Sequence, residues 1–336
     1  MIFYNKYLFK LISIKLYMKH ILIFIILLII ILFVLNLVKN KQEFFENNSF
    51  ILKKSPHGFY SMLLATTTNY YNFENKNKNF RIKLDDWIYK NKNGWIDYFQ
   101  PVDLKLNNDT NYKEIKWQKQ FNDIKIIDLI KTIPKIYKYN SEVKMHINNI
   151  KNKLNLLDQK YDAIYVRRGD KIAENNLVRD INYIKVLIMK NPFVSIVFIQ
   201  TDDYNVYLNI KKYLKDNDYN ITLLTICNEN MKGSITDNYF KKEMLKKIEP
   251  NTISKYKDIK PLSDMSLKEK KEHMYELLTG VDILINSSMC VVDYETNVGR
   301  FIKYAHKNPR NVFDVNNPNR DINYNKVINC FERDLY

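Results

Sequence analysis

From residue 163 onward, short apolar runs alternate with stretches of helical periodicity, and this alternation restricts the chain more than any other feature. Residues 163–166, 194–199, 221–225 and 281–285 read as strands. Residues 181–189, 204–214, 267–278 and 297–305 read as helices between or after them. A strand buried on both faces shows as a continuous apolar run, whereas a helix places apolar residues every three to four positions. Strands separated by helices of this length predict α/β layers around a parallel sheet. Upstream, 62–71 reads as a helix and 80–84 as a strand. Residues 146–158 read as a helix with Ile147, Ile150, Leu154 and Leu157 on one side. A boundary between two lobes falls at 151–160.

The 336 residues suffice for one large domain or two lobes. The formal charge is +16, but the lysines are scattered among Asn and Tyr rather than gathered into a block. That pattern argues against a nucleic-acid partner. Cys227, Cys290 and Cys330 are too few and too far apart for a zinc signature or a disulfide framework. Sequons at Asn47, Asn108, Asn220 and Asn286 are expected by chance in so Asn-rich a chain, and Asn286 is expected to be buried.

Residues 21–38, ILIFIILLIIILFVLNLV, form an apolar run without a charge. Such a run is long enough to cross a bilayer. Lys6, Lys10, Lys15 and Lys19 precede it, which places the N-terminus in the cytosol. The expectation is a single-pass type II membrane protein with a signal-anchor and a lumenal Golgi or ER domain. Its parts are a cytosolic tail (1–20), an anchor (21–38) and a stem (39–56).

Five short features carry chemistry. Tyr165-Val166-Arg167-Arg168-Gly169-Asp170-Lys171 sets two guanidiniums after a buried strand, where open α/β sheets bind ligands. Arg pairs bidentately with phosphate oxygens. A surface turn with solvated charges is the plain alternative. Thr201-Asp202-Asp203 follows the next strand and is either a helix cap or part of a site. Asp282 beside a nucleotide pocket accepts both N–H groups of a guanine edge, or is only a strand-end acid. Thr296-Asn297 starts a helix, where free amides suit phosphate, or is only an N-cap. Glu174 is either a general base or a solvated loop acid.

The order of these motifs resembles the α-1,6-fucosyltransferase family, whose members fucosylate the N-glycan core or nodulation-factor oligosaccharides. The resemblance covers roughly residues 58–305. Its N-terminal part rests on Gly58-Phe59, Trp87-Ile88-Tyr89, Gly94-Trp95 and Phe99-Gln100-Pro101. The rest lies in YVRRGDK, FIQTDDY, Asp282-Ile283 and ETNVGR. It implies a GT-B-like two-lobe glycosyltransferase, with an N-terminal α/β lobe (57–155), a Rossmann-like nucleotide-sugar lobe (156–310) and a C-terminal tail (311–336).

It further implies that Arg167 holds the donor diphosphate and Arg168 supports it. Asp170 and Lys171 would organise the catalytic loop, and Glu174 would be the base. Tyr183, Asp202 and Asp203 would position the donor and brace the loop. Asp282 would read guanine, Thr296 and Asn297 would lie near the phosphates, and Gly58 would let backbone approach them. The implied reaction is inverting transfer of L-fucose from GDP-fucose to a glycan acceptor, with no metal and no cofactor.

The sequence departs from the family in several places. Tyr165 replaces a His, Glu174 and Tyr183 both require a loop one residue shorter, and Thr296-Asn297 replaces Ser-Gln. An α-1,2 or protein-O-fucosyltransferase is the nearest alternative. A non-catalytic membrane-tethered descendant that binds a glycan or nucleotide is the alternative from another class.

Overall fold

Five parallel strands position everything that follows: β1 (Asp162–Val166), β2 (Ile196–Thr201), β3 (Thr222–Thr225), β4 (Cys290–Val292) and β5 (Val312–Asp314). The structure is a computed structural model. It describes residues 18, 21, 23–36, 49–52, 58–76, 79–82, 84, 87–104, 113–115, 123–169, 171, 179–248, 256–320 and 322–329. Contacts divide the chain into two compact units, Met1–Ser49 with Asp109–Lys113, and Phe50–Asn108 with Glu114–Tyr336. The sheet and all helices labelled below belong to the second. They are α1 (Phe59–Asn75), α2 (Ile126–Ile136), α3 (Ser141–Lys153), α4 (Asp180–Lys190), α5 (Tyr204–Asp216), α6 (Asn238–Lys247), α7 (Leu267–Ile285) and α8 (Asn297–Ala305).

The strand order is β5-β4-β1-β2-β3, with every neighbouring pair parallel. The chain winds outward through β1, β2 and β3, then returns past β1 to lay down β4 and β5. The winding therefore reverses between β1 and β4, and a crevice opens at the C-terminal ends of strands at such a reversal. The expected α/β fold with a parallel sheet is observed. All five residues of β1 are buried. Ile164 and Val166 share a core with Ile184 and Leu187 of α4 and with Val206 and Ile210 of α5. Spacings of three and four residues put those side chains on one helical face. Burying each such aliphatic side chain is worth roughly 1.5–3 kcal/mol.

Most sequence-derived elements fall where expected, with boundaries shifted by a few residues. The helix expected at 146–158 begins earlier, at Asn140. Its side chain accepts the Val143 N–H at 2.9 Å as an N-cap. The strand expected at 281–285 is wrong. Those residues continue α7, which starts at a Ser266/Glu269 capping box and runs without interruption to Ile285. Met274, Leu278 and Val281 are buried at helical spacing, and Ile283 and Leu284 continue the buried surface. A short apolar run does not by itself distinguish strand from helix. The strand is instead β4, after the Asn286 C-cap, and Asn286 is exposed rather than buried.

The membrane anchor is also corrected. Among the described residues no helix is long and apolar enough to cross a membrane. The single-pass type II arrangement, the signal-anchor and the Golgi or ER placement are not retained.

Upstream of the sheet, an aromatic cluster seats α1. Phe59 stacks on Trp87 with centroids 4.9 Å apart, and Trp95 stacks on Phe99 at 4.4 Å. The Phe59 N–H donates to the Tyr89 hydroxyl at 3.1 Å. Tyr60 and Tyr137 both pack on Phe301 of α8, at 4.8 and 4.7 Å. Trp87, Tyr89 and Trp95 thus have a packing role: they seat the start of α1, which packs on the middle of α8 through Tyr60 and Phe301.

Candidate functional site

A cavity of about 260 Å³ lies at the C-terminal ends of β1 and β2. Arg167 and Lys171 come from the loop after β1, and Gln200, Thr201 and Asp202 from the end of β2. Gly58 and Phe59 contribute the start of α1. Thr296, Asn297 and Val298 contribute the start of α8. His273, Glu276 and Leu277 face it from one side of α7.

The Asp202 carboxylate organises this region. It pairs with the Arg167 guanidinium through one oxygen. The same oxygen accepts the Ser234 N–H at 2.9 Å, while the other accepts the Arg168 N–H at 2.7 Å. Arg167 also donates to the Ser234 carbonyl at 3.0 Å, and the Asp202 carbonyl accepts the Gly233 N–H at 2.6 Å. The loop after β1, the end of β2 and the segment around Ser234 are therefore one hydrogen-bonded unit. Two glycines let it close. Gly169 has φ +66°, and a Cβ there would collide with the Ser234 backbone. Gly233 has φ +121°, and its Cβ would lie 2.7 Å from the Gly169 Cα. Positive φ favours glycine at these positions, and the backbone collisions a Cβ would make require it.

Six of the residues expected at the site meet in the cavity: Gly58, Arg167, Lys171, Asp202, Thr296 and Asn297. Thr296 caps α8 by accepting the Gly299 N–H at 3.0 Å, and Asn297 and Val298 of its first turn also line the cavity. Asn297 accepts a hydrogen bond from Arg300. Gly58 has φ −59°, and a Cβ there would meet only the Tyr89 hydroxyl, at 3.9 Å. Packing within the chain therefore does not demand a glycine at this position.

Four others lie outside the lining. Arg168 is buried, pairs with Asp180 and donates to the Arg167 carbonyl at 3.0 Å, so it braces the loop from behind. Asp203 caps α5, accepting the Asn205 N–H at 3.0 Å. Tyr183 is packed into the sheet core, and burial drives its hydroxyl pKa upward. Asp282 sits on α7 rather than on a strand, and its carboxylate is paired with Lys151. Asp170 and Glu174 lie outside the described residues.

The sequence reading missed Gln200, His273 and Glu276. His273 and Glu276 are three residues apart on α7, one turn of a helix already recognised, so they share a face. Gln200 Oε1 is buried without a hydrogen-bond partner. Its amide packs on Gly280, where a Cβ would collide with it. Burial, followed by the nearby Glu272 charge, raises the Glu276 carboxyl from 4.5 to about 6. Burial, followed by the Arg167 charge, lowers His273 from 6.5 to about 4, and Asp202 opposes this. His273 is thus neutral at pH 7, with Nε2 3.5 Å from the Ser234 hydroxyl. Among the described residues no group of three or more His, Cys, Asp or Glu side chains could hold a metal ion.

No family model and no curated protein matches the chain. Several solved structures do. A fucosyltransferase NodZ from Bradyrhizobium is 11% identical with a TM-score of 0.46, covering 81% of this chain and 97% of that one. Its Se-Met form is 12% identical with a TM-score of 0.46 and the same coverages. A NodZ alpha-1,6-fucosyltransferase co-crystallized with GDP is 11% identical with a TM-score of 0.44, covering 76% and 92%. Scores this low carry no argument about activity, and the functional reading stands on this chain's own residues.

Two outcomes are expected. Gly169→Ala forces both an unfavourable φ and a backbone collision, so urea unfolding should show a loss of about 1–3 kcal/mol. Unchanged stability would mean that the two loops do not pack as described. The second outcome concerns pH. Ionising Glu276 costs folding free energy, so its contribution recovers as pH falls from about 6 to 4.5. Protonating His273 is disfavoured in the folded state, so its contribution is lost as pH falls from 6.5 to about 4. The two oppose each other, and Glu276→Gln should therefore steepen the loss of stability between pH 6.5 and 4.5. A pH profile parallel to that of the unaltered protein would contradict the burial of this carboxyl.

Proposed function

We propose that this chain is a glycosyltransferase that takes its sugar from a nucleoside diphosphate, with GDP-fucose as donor and a glycan hydroxyl as acceptor. The observation that carries this reading is the position of Arg167. It emerges from β1 where the winding of the sheet reverses, in a cavity that also receives Lys171 and the start of α8. Ligands bind open parallel sheets at that crevice. A guanidinium, an ammonium and helix-terminal amides together form a receptor for a diphosphate. The donor's identity as GDP-fucose draws its support from the YVRRGDK, FIQTDDY and ETNVGR motifs.

The chemistry follows from charge. Breaking the bond between the sugar and the diphosphate builds negative charge on the leaving oxygens. Arg167, Lys171 and the α8 amides neutralise that charge without a metal. Groups fixed in place before reaction are worth far more than mobile water dipoles. Asp202 holds the guanidinium from behind through a hub that keeps two backbone N–H donors when Arg167 turns to a ligand. Attack from the face opposite the diphosphate inverts the anomeric centre, giving an α-linked, α-1,6-like product from a β-linked donor. Glu174 is proposed as the base on the strength of the sequence motif. Glu276, rather than the Lys151-paired Asp282, is the α7 carboxylate that lines the cavity.

Arg167→Ala should weaken GDP binding by at least about tenfold, the loss of a charge-assisted hydrogen bond. It should also lower fucose transfer by about 10²–10³. Arg167→Lys should not restore transfer, because an ammonium lacks the planar fork. Calorimetry and a transfer assay on a glycan panel measure both effects. Near-normal transfer by Arg167→Ala would overturn the site assignment.

A further inference from the structure

The cavity lining is chemically mixed. Arg167, Lys171 and the start of α8 supply ionic and polar groups, and Leu262, Leu277 and the ring of Phe240 supply apolar surface. Phe240 lines the cavity and still leaves 40% of its surface exposed. An aromatic ring left open to a binding cavity forgoes the gain that burial would give it.

The helix that carries the ring is also held in place. Phe240 lies in the first turn of α6, and its N–H donates to the Asp237 N-cap carboxylate at 2.9 Å. Met244, on the same helix, is buried in a small separate core with Ile235 and Tyr256. Lys241 ties the helix to the Ile259 carbonyl at 2.7 Å, and the Leu262 N–H donates to the Ile235 carbonyl at 2.9 Å. The segment is joined to the ionic hub through the Gly233 and Ser234 N–H groups. A ring fixed in this way presents its face without paying much entropy when a ligand arrives.

We infer that Phe240 is the stacking face for the donor's nucleobase, with Leu262 and Leu277 as the apolar walls around it. The inference rests on the nucleotide-dependent reading above and adds the residue that grips the base. A planar base offers a π-face to the ring, while Arg167 in the same cavity takes the attached diphosphate. Stacking of this kind tolerates any base, so Phe240 supplies affinity, and selectivity falls to the polar groups beside it. The sugar of an acceptor also offers an apolar face, and the test separates the two ligands.

Binding of GDP and of inorganic pyrophosphate is measured by calorimetry for the unaltered chain, Phe240→Ala, Phe240→Trp and Phe193→Ala. Phe193 is 93% exposed and precedes the N-terminal end of β2, whereas the cavity lies at the C-terminal strand ends. Phe240→Ala should weaken GDP about tenfold, the size of one lost base–aromatic stack, and leave pyrophosphate unchanged. Phe240→Trp should bind GDP as the unaltered chain does, and Phe193→Ala should change neither ligand. The inference is overturned if Phe240→Ala keeps full GDP affinity, including the case in which it loses only affinity for a glycan acceptor. It is equally overturned if pyrophosphate and GDP weaken together, which marks a structural role. If the unaltered chain binds no nucleotide, the proposed function falls first. GDP binding that is indifferent to Phe240 removes only the stacking role.

Discussion

The pairing of Asp202 with Arg167 is the contact on which the site depends. An arginine at the end of a buried strand would otherwise swing into solvent. Here its guanidinium is held by a carboxylate from the neighbouring strand, and that carboxylate is in turn fixed by two backbone N–H groups. The arrangement needs the register of β1 and β2, in which Val166 lies opposite Thr201. It also needs Gly169 and Gly233, because only bare backbone can approach so closely. Sheet, loop and cavity are therefore consequences of one packing solution.

The same hub keeps Arg167 ordered at the cavity, because Asp202 accepts two backbone N–H groups besides the guanidinium. The aromatic cluster around Phe59 and Trp87 does a related task at a distance. It packs the start of α1 against Phe301 of α8, and the starts of both helices line one cavity.

How much of this was legible in the sequence varied with the length scale of the signal. The alternation of strands and helices fixed the sheet, because burial on both faces leaves an unbroken apolar run in β1 and β2. The adjacent arginines pointed to the switch point, since arginine is scarce here and the motif follows a strand. The strand expected at 281–285 failed because Val281, Ile283 and Leu284 are buried in a helix that is covered on most sides. A local apolar run cannot reveal that. The anchor expected at 21–38 is not retained, because no described helix is both long and apolar enough to cross a membrane. His273, Glu276 and Gln200 were invisible for another reason. Each is an ordinary residue in a helix or strand, and only the fold turns it toward the cavity. Asp202 and Asp203 show the limit most sharply: adjacent in sequence and alike in chemistry, one is the hub and the other a helix cap.

The central claim is that the cavity receives a guanine nucleotide through arginine, lysine and amide groups alone. The most direct measurement is a calorimetric titration of GDP, ADP and UDP into the folded chain in the presence of EDTA. The account predicts binding of GDP under these metal-free conditions, at least about tenfold tighter than ADP or UDP, a difference of about 1.4 kcal/mol. A well-folded chain that binds none of the three, or that binds GDP only when a divalent cation is restored, would contradict it.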